Sequence, residues 1–368
     1  MKYILNERIY TILNILQKAL YILLYVSILK MKRKIIKQGH NTLTVTLPSE
    51  WAKQFNLKSG DEVDMSEREN GLFLSSINHD DISKIEINIT GLDIPAIWKY
   101  FMAVYRQGYD EVKIKFDPIA RYDNPYKFYT KNTIDLNYSN KANLTSIEML
   151  QMMSNRFIGF EMIEHQQEFC IVKDMMEVST KEFDSSLRRV FLLILQMGEE
   201  LFESLEKNDI KIVQHTHDID INVDKFHDYC VRVMRKTKIK NLTEASLNSS
   251  NLFLLELLAD EFKHIAKHLI NDMPNKKLGN LSGLAEKVIE MFKDFYDFYY
   301  RYDKEKLMNL SKKDREIHSY LPKVYKTKSG KTQLTDSELE IFNHLRVITK
   351  YINSLSELRV EMEHLKKS

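Results

Sequence analysis

Two pairs of carboxylates stand out in the C-terminal half of the chain. Asp220 and Asp224 sit four residues apart in HDIDINVDKFHDYCVR, and Glu256 and Asp260 sit four apart in LLELLADEFKHIAKHL. At this spacing each pair falls on one face of its helix. Leucines flank Glu256 and Asp260, unlike the neighbours of a solvated charged face. Carboxylates brought together from adjacent helices repel unless a cation neutralises them. The four are therefore candidate hard-oxygen ligands for a divalent or ferric ion, with His217, His227 and His264 as nearby donors. A salt-bridged helix face would show the same spacing, with Lys263 as the partner at hand.

A second chemistry is polyanion binding. Across residues 32–58, Lys32, Arg33, Lys34, Lys37, Lys53 and Lys58 are set against one acid, Glu50. Such a set neutralises phosphates and makes binding depend on salt. On an exposed strand it would also discourage edge-to-edge aggregation.

Other chemistries lack their residues. Ser329-Gly330-Lys331-Thr332 ends like a phosphate-cradling loop, but Tyr325 stands where the loop requires glycine. No nucleotide is expected, and no catalytic residue is assigned. A di-iron carboxylate enzyme needs Glu-x-x-His pairs on two helices, and the acidic helices are read as carrying none. The chain is read as a non-enzyme.

The chain has 368 residues, a length that predicts two or three domains. Its 54 basic and 52 acidic residues give a formal net charge of +2, so any basic site must be local. Hydrophobic residues make up 43%, enough for packed cores and too many for a disordered chain. Two cysteines exclude a disulfide scaffold and point to a reducing, cytoplasmic setting. Cys170, inside an apolar strand, reads as a buried thiol. The longest apolar run near the N-terminus, Ala19 to Leu29, is broken by Ser27 and falls short of the ~20 residues that span a bilayer. Met31 opens a new segment. Residues 1–30 are read as an upstream extension, with an amphipathic helix on a membrane or partner, or a transmembrane anchor, as the alternatives.

The elements that would position these residues follow from periodicity. Over 31–78 short strands alternate with turns: a turn at Gly39-His40-Asn41, a strand LTVTL, a short helix after Pro48, and a hairpin turn at Asn70-Gly71. About 45 residues cannot bury a good core alone, which calls for a partner chain. Over 84–178 the order strand, helix, strand, helix, strand, strand predicts a small sheet with helices on one face. Residues 117–143, polar and rich in Asn and aromatics, read as a long loop. From 179 the pattern is helical, in two three-helix units at 179–274 and 283–366. Pro274, Asn275, Gly279, Asn280 and Gly283 are read as the linker between them.

The segment QGHNTLTVTLPSEWAKQFNLKSGDEVDM…NGLFLSS resembles the AbrB/SpoVT/MazE family of swapped-hairpin DNA-binding domains. That resemblance implies a β-barrel completed by two chains, hence a homodimer, with DNA contacts at Lys32, Arg33, Lys34, Lys37, His40 and Asn41, and Lys53 as a weaker candidate. His40-Asn41 stands where many relatives place arginine.

DIDINVD and ELLADEF resemble the E/DxxxD motifs of the PhoU family, whose two three-helix repeats hold metal clusters. The resemblance assigns metal to Asp220, Asp224, Glu256 and Asp260. In the second repeat Asn309/Lys313 and Glu340/His344 occupy the corresponding places, so one metal site at most is expected there and in the first repeat together.

The combination is similar to archaeal phosphate-uptake regulators. It implies a multidomain α+β chain: a swapped-hairpin barrel, an α+β coupling layer and a duplicated all-α region. The implied function is a cytoplasmic transcriptional regulator of phosphate uptake whose helices sense phosphate status, metal or a transporter. The alternative is an adaptor that leaves DNA alone and contacts a phosphate transporter or a sensor kinase. Membrane contact would be indirect or through residues 1–30.

Overall fold

The computed structural model describes residues 33–39, 42–68, 71–75, 82–128, 143–176, 178–237, 242–272, 279–325 and 334–365. Residues 1–30, Lys32, His40, Asn41 and the Ser329–Thr332 segment lie outside them. Contacts divide the chain into two compact units, before and after the His79/Asp80 junction.

The first unit holds two separate antiparallel ladders. β1 (Ile36–Gln38) pairs with β2 (Thr42–Thr44), and β3 (Asp64–Arg68) pairs with β4 (Gly71–Ser75). Gly39, at φ +73°, starts the β1–β2 turn in a conformation open to glycine. The short helix α1 (Ser49–Gln54) follows Pro48, which is its N-cap. The Lys58 N–H donates to the Asp61 carboxylate at 2.6 Å, which fixes the loop through Gly60. Among the described residues of this chain no sheet is closed, and each ladder of this unit has two strands. The β3–β4 register pairs Arg68 with Gly71, so Gly71, expected in the hairpin turn, belongs to β4, and Asn70 lies outside the described residues.

The second unit begins with a mixed sheet of order β5-β6-β10-β9, built from β5 (Lys84–Asn88), β6 (Glu111–Lys115), β9 (Phe160–His165) and β10 (Phe169–Asp174). β5 and β6 are parallel and are joined by α2 (Ile94–Gln107), as a parallel pair requires a crossover. Asp93 caps α2 by accepting the Ala96 N–H at 2.9 Å, and Gly108 ends it. α3 (Ser146–Ser154) starts on a capping box between Thr145 and Glu148. Ile97, Phe101 and Tyr105 of α2 pack with Phe157 and Phe160 in one aromatic core. Cys170 is fully buried in β10, and burial pushes its thiol up to about 12. The start of the expected loop is structured. β7 (Arg121–Tyr122) pairs with β8 (Leu144–Thr145), and a short 3-10 turn at Pro125–Phe128 is held by a bond from Trp98 Nε1 to the Pro125 carbonyl at 3.1 Å.

Six helices complete this unit: α4 (Thr180–Lys207), α5 (Thr216–Lys236), α6 (Leu242–Asp272), α7 (Gly279–Tyr300), α8 (Lys304–Tyr325) and α9 (Asp336–Leu365). A capping box between Ser179 and Glu182 starts α4, and Thr335 with Glu338 does the same for α9. α4 packs on α5, α6 and α7, while α9 packs on α6 and α7. Gly279, Asn280 and Gly283, expected as linker, lie inside α7. Gly283 meets Tyr320 of α8 so closely that a Cβ would stand 2.8 Å from its hydroxyl. The glycine is there for close packing, a reason that sequence spacing does not carry.

The helices join the sheet through buried ions. Arg232 of α5 is fully buried, and its guanidinium donates to Asp174 at 2.6 Å and to the Tyr105 and Tyr109 carbonyls at 2.7 and 2.8 Å. Lys236 adds bonds to Asp110 at 2.5 Å and to Asp174 at 2.7 Å. Removing one partner of a buried pair leaves an uncompensated charge, at a cost of about 3–5 kcal/mol. Arg232→Leu is expected to lower unfolding free energy by about that amount in urea titrations.

Candidate functional site

The polar side chains of α5 recur every four residues: Asp220, Asp224, Asp228, Arg232 and Lys236. Asp228 is the best neutralised. Its carboxylate takes Arg106 Nε at 2.6 Å, Arg156 NH1 at 2.8 Å and His227 Nδ1 at 3.4 Å. Burial alone would raise its pKa, but the His227 bond and the two guanidiniums hold it well below the usual carboxylate range.

The four predicted metal ligands sit at the next stretch of this stripe and across from it on α6. Asp220 is buried, and Lys263 Nζ stands 2.9 Å from its Oδ2 while also bonding Asp260. Asp224 lies 3.4 Å from Arg156 NH2. Lys263 and Arg156 therefore supply positive charge where an ion was expected. A cation held by these four carboxylates would have to displace Lys263 from Asp220 and Asp260.

One lysine shared among several acids leaves charge unbalanced. Burial, then Asp224, pushes the Asp220 carboxyl up to about 7. Burial raises Asp224 despite Arg156, and burial with Asp260 raises Glu256. Burial opposes the charge on Lys263, but Asp220 and Asp260 more than offset it and raise its pKa. His217 is buried with neither ring nitrogen hydrogen-bonded. Burial and the Lys263 charge lower it to about 4, so it is neutral at pH 7.

A different group has metal-ligand proximity. Glu261 and His264 of α6 and His344 of α9 each offer a ligand atom, all within 4.8 Å of one another. Glu261-Phe262-Lys263-His264 is a Glu-x-x-His pair, which corrects the reading that the acidic helices carry none. The more regular Glu256/Asp260 pair masks it in the sequence, and His344 lies far along the chain on another helix. Glu340, expected beside His344 in a second acidic motif, is not in this group.

In the first unit, Arg33, Lys34 and Lys37 are exposed on and before β1, and Lys53 is exposed on α1. No acidic residue occurs between Arg33 and Ser49. Lys32, His40 and Asn41 are outside the described residues. Among the described residues of this unit no side chain is buried, and Ile35, Leu43, Met65 and Leu72 are each more than 60% exposed. No helix among the described residues is long and apolar enough to cross a membrane.

Residues 36–80 match the family described as antidote-toxin recognition MazE, bacterial antitoxin. No curated protein matches the chain. Among solved structures, the phosphate transport system regulatory protein PhoU from Streptococcus pneumoniae is similar at 19% sequence identity and a TM-score of 0.42, covering 50% of this chain and 94% of that one.

The raised carboxyls set a pH dependence. An acid whose folded pKa lies above its unfolded value stabilises the fold fully below the unfolded value and loses that contribution as pH rises to the folded one. For Asp220 the window runs from its ordinary 3.8 to about 7. Asp220→Asn is expected to lose less stability than wild type between pH 4 and pH 7, by about 2–4 kcal/mol, in urea titrations at each pH.

Proposed function

We propose that the protein is a DNA-binding transcriptional regulator that works on phosphate uptake, with the β-module on DNA and the helical region as its input. The observation that carries the DNA reading is the matched β-module, with Lys37 exposed on β1 and Arg33 and Lys34 exposed just before it, in a segment free of acids. Three exposed cations close together suit a phosphate backbone, which they would position against without reading sequence. Lys53, exposed on α1, is a weaker candidate, and the family resemblance adds Lys32, His40 and Asn41 to the DNA contacts. The link to phosphate rests on the resemblance of the Asp220/Asp224 and Glu256/Asp260 segments to PhoU motifs. A transporter or sensor kinase is then the partner class for the helices.

The module also calls for a second copy. Both ladders leave large apolar side chains open, Leu43 at 68% on β2 and Leu72 at 67% on β4, which a partner would cover. A homodimer that interleaves the β1–β2 and β3–β4 ladders of two chains covers them. Leu43→Glu combined with Leu72→Glu is expected to turn a dimer into a monomer in sedimentation equilibrium.

DNA titration at several salt concentrations tests the main reading. The logarithm of the binding constant is expected to fall linearly with the logarithm of salt. Arg33→Ala with Lys34→Ala and Lys37→Ala is expected to flatten that slope by about 0.9 for each phosphate left without its cation. A binding constant without salt slope sinks the DNA reading and favours the adaptor. Mapping bound DNA across the genome with and without phosphate tests the physiological input. The description of the matched family favours a second reading, neutralisation of a toxin. It predicts a small protein held in stoichiometric complex and released when the β-module is deleted.

A further inference from the structure

The geometry points to a transition-metal site between α6 and α9, formed by Glu261, His264 and His344, for one dication of the zinc class. Two imidazoles and a carboxylate are borderline donors that suit Zn2+ rather than the all-oxygen sets of Mg2+ or Ca2+. The three ligand atoms already lie within 4.8 Å of one another. A tetrahedral Zn2+ with ligands at ~2.0–2.1 Å sets them about 3.3 Å apart, so side-chain rotation on fixed helices closes the gap.

The surroundings favour a site over a lone ion pair. His344 Nδ1 bonds Glu261 Oε2 at 2.5 Å, which accounts for those two residues alone. That bond does not involve His264, whose ring stands on the same wall. The His264 ring lies 5.3 Å from that of His344, and the His268 ring lies 5.6 Å from it. Glu261, His264 and His268, at intervals of three and four, put three donors on one face of α6 opposite His344. His264 is exposed while Glu261 and His344 are half-buried. Three protein ligands with one side open to solvent is the pattern of an exchangeable site, in which water or another ligand takes the fourth position.

This site is distinct from the acidic quartet. Lys263, between Glu261 and His264 in sequence, points to Asp220 and Asp260 instead. α6 also packs with α4 and α5, and α9 with α7, so the ion would sit where helices of the two repeats already pack on each other. Bound metal would add a cross-link to that contact. The inference stands on α6 and α9 and holds whether or not the β-module binds DNA.

The test is calorimetric titration of the chelator-treated full chain with Zn2+, supported by metal analysis after dialysis. One Zn2+ per chain is expected. His264→Ala and His344→Gln should each weaken binding about 100-fold or more, a loss at the upper end of what even supporting groups of a metal site cause. Asp220→Asn and Asp260→Asn should leave affinity within about threefold. Thermal unfolding of each metal-free variant controls for the fold: a midpoint equal to metal-free wild type, with the Zn2+-induced rise gone, is the expected pattern. Zn2+ affinity unchanged in both histidine variants overturns the site. So does affinity abolished in Asp220→Asn or Asp260→Asn but kept in the histidine variants.

Discussion

The second unit depends on the charged stripe of α5. Its members are four residues apart, and a step of four on a helix of 3.6 residues per turn drifts about 40°. Five members therefore sweep around roughly half the helix rather than along one face. Asp220 meets α6 through Lys263, Asp228 meets α2 and the residue two past α3 through Arg106 and Arg156, and Arg232 with Lys236 meets β10 through Asp174. A single helix thus fixes the angle between the helical bundle and the sheet layer. Apolar contacts around it supply burial without direction. The ions supply direction, because a misplaced buried charge is costly.

The stripe changes sign along its length, and that order has consequences. Its C-terminal cations face acids from the sheet layer in well-matched pairs. Its N-terminal acids face acids from α6, with only Lys263 and Arg156 to share. Burial, with the neighbouring acids adding to it, raises Asp220, Asp224 and Glu256, while Asp228, bonded by His227 and two guanidiniums, is lowered despite its burial. One helix carries both a structural clamp and a charge-strained cluster. His217 adds a buried, neutral, unbonded imidazole beside it. The first unit has no comparable interior among its described residues, and its apolar side chains remain open.

Much of this was legible in the residues. Apolar periodicity located the helices and alternation located the strands, while the capping pairs Ser179/Glu182 and Thr145/Glu148 that start α4 and α3 emerge only from the fold. The carboxylate pairs stand on adjacent packed helices, α5 and α6, as expected. Their partners were not legible, because Arg156 and Arg106 reach Asp228 from 72 and 122 residues away. Lys263 was readable as a salt-bridge partner, but only the packing of α6 on α5 aims it at two acids. The stripe itself was readable beyond Asp224, since Asp228, Arg232 and Lys236 continue the same interval. Gly283 read as a linker because composition cannot tell a flexible glycine from one pressed against Tyr320.

α6 shows why the two polar clusters cannot be considered apart. Asp260 and Glu261 are neighbours, so about 100° of helix separates their side chains. Asp260 and Lys263 turn to α5, Glu261 and His264 turn to α9, and Phe262, Ile265 and Leu269 fill the core between them. Turning α6 enough to improve ligand spacing on one side would drag Lys263 from Asp220 on the other, while the buried Phe262 resists the turn through close packing. Adjustment on the α9 side must therefore come from side-chain rotation or from α9 itself. The α5 side is held by ions, and the α9 side by the His344–Glu261 bond together with the buried apolar face of Ile341, Leu345 and Ile348.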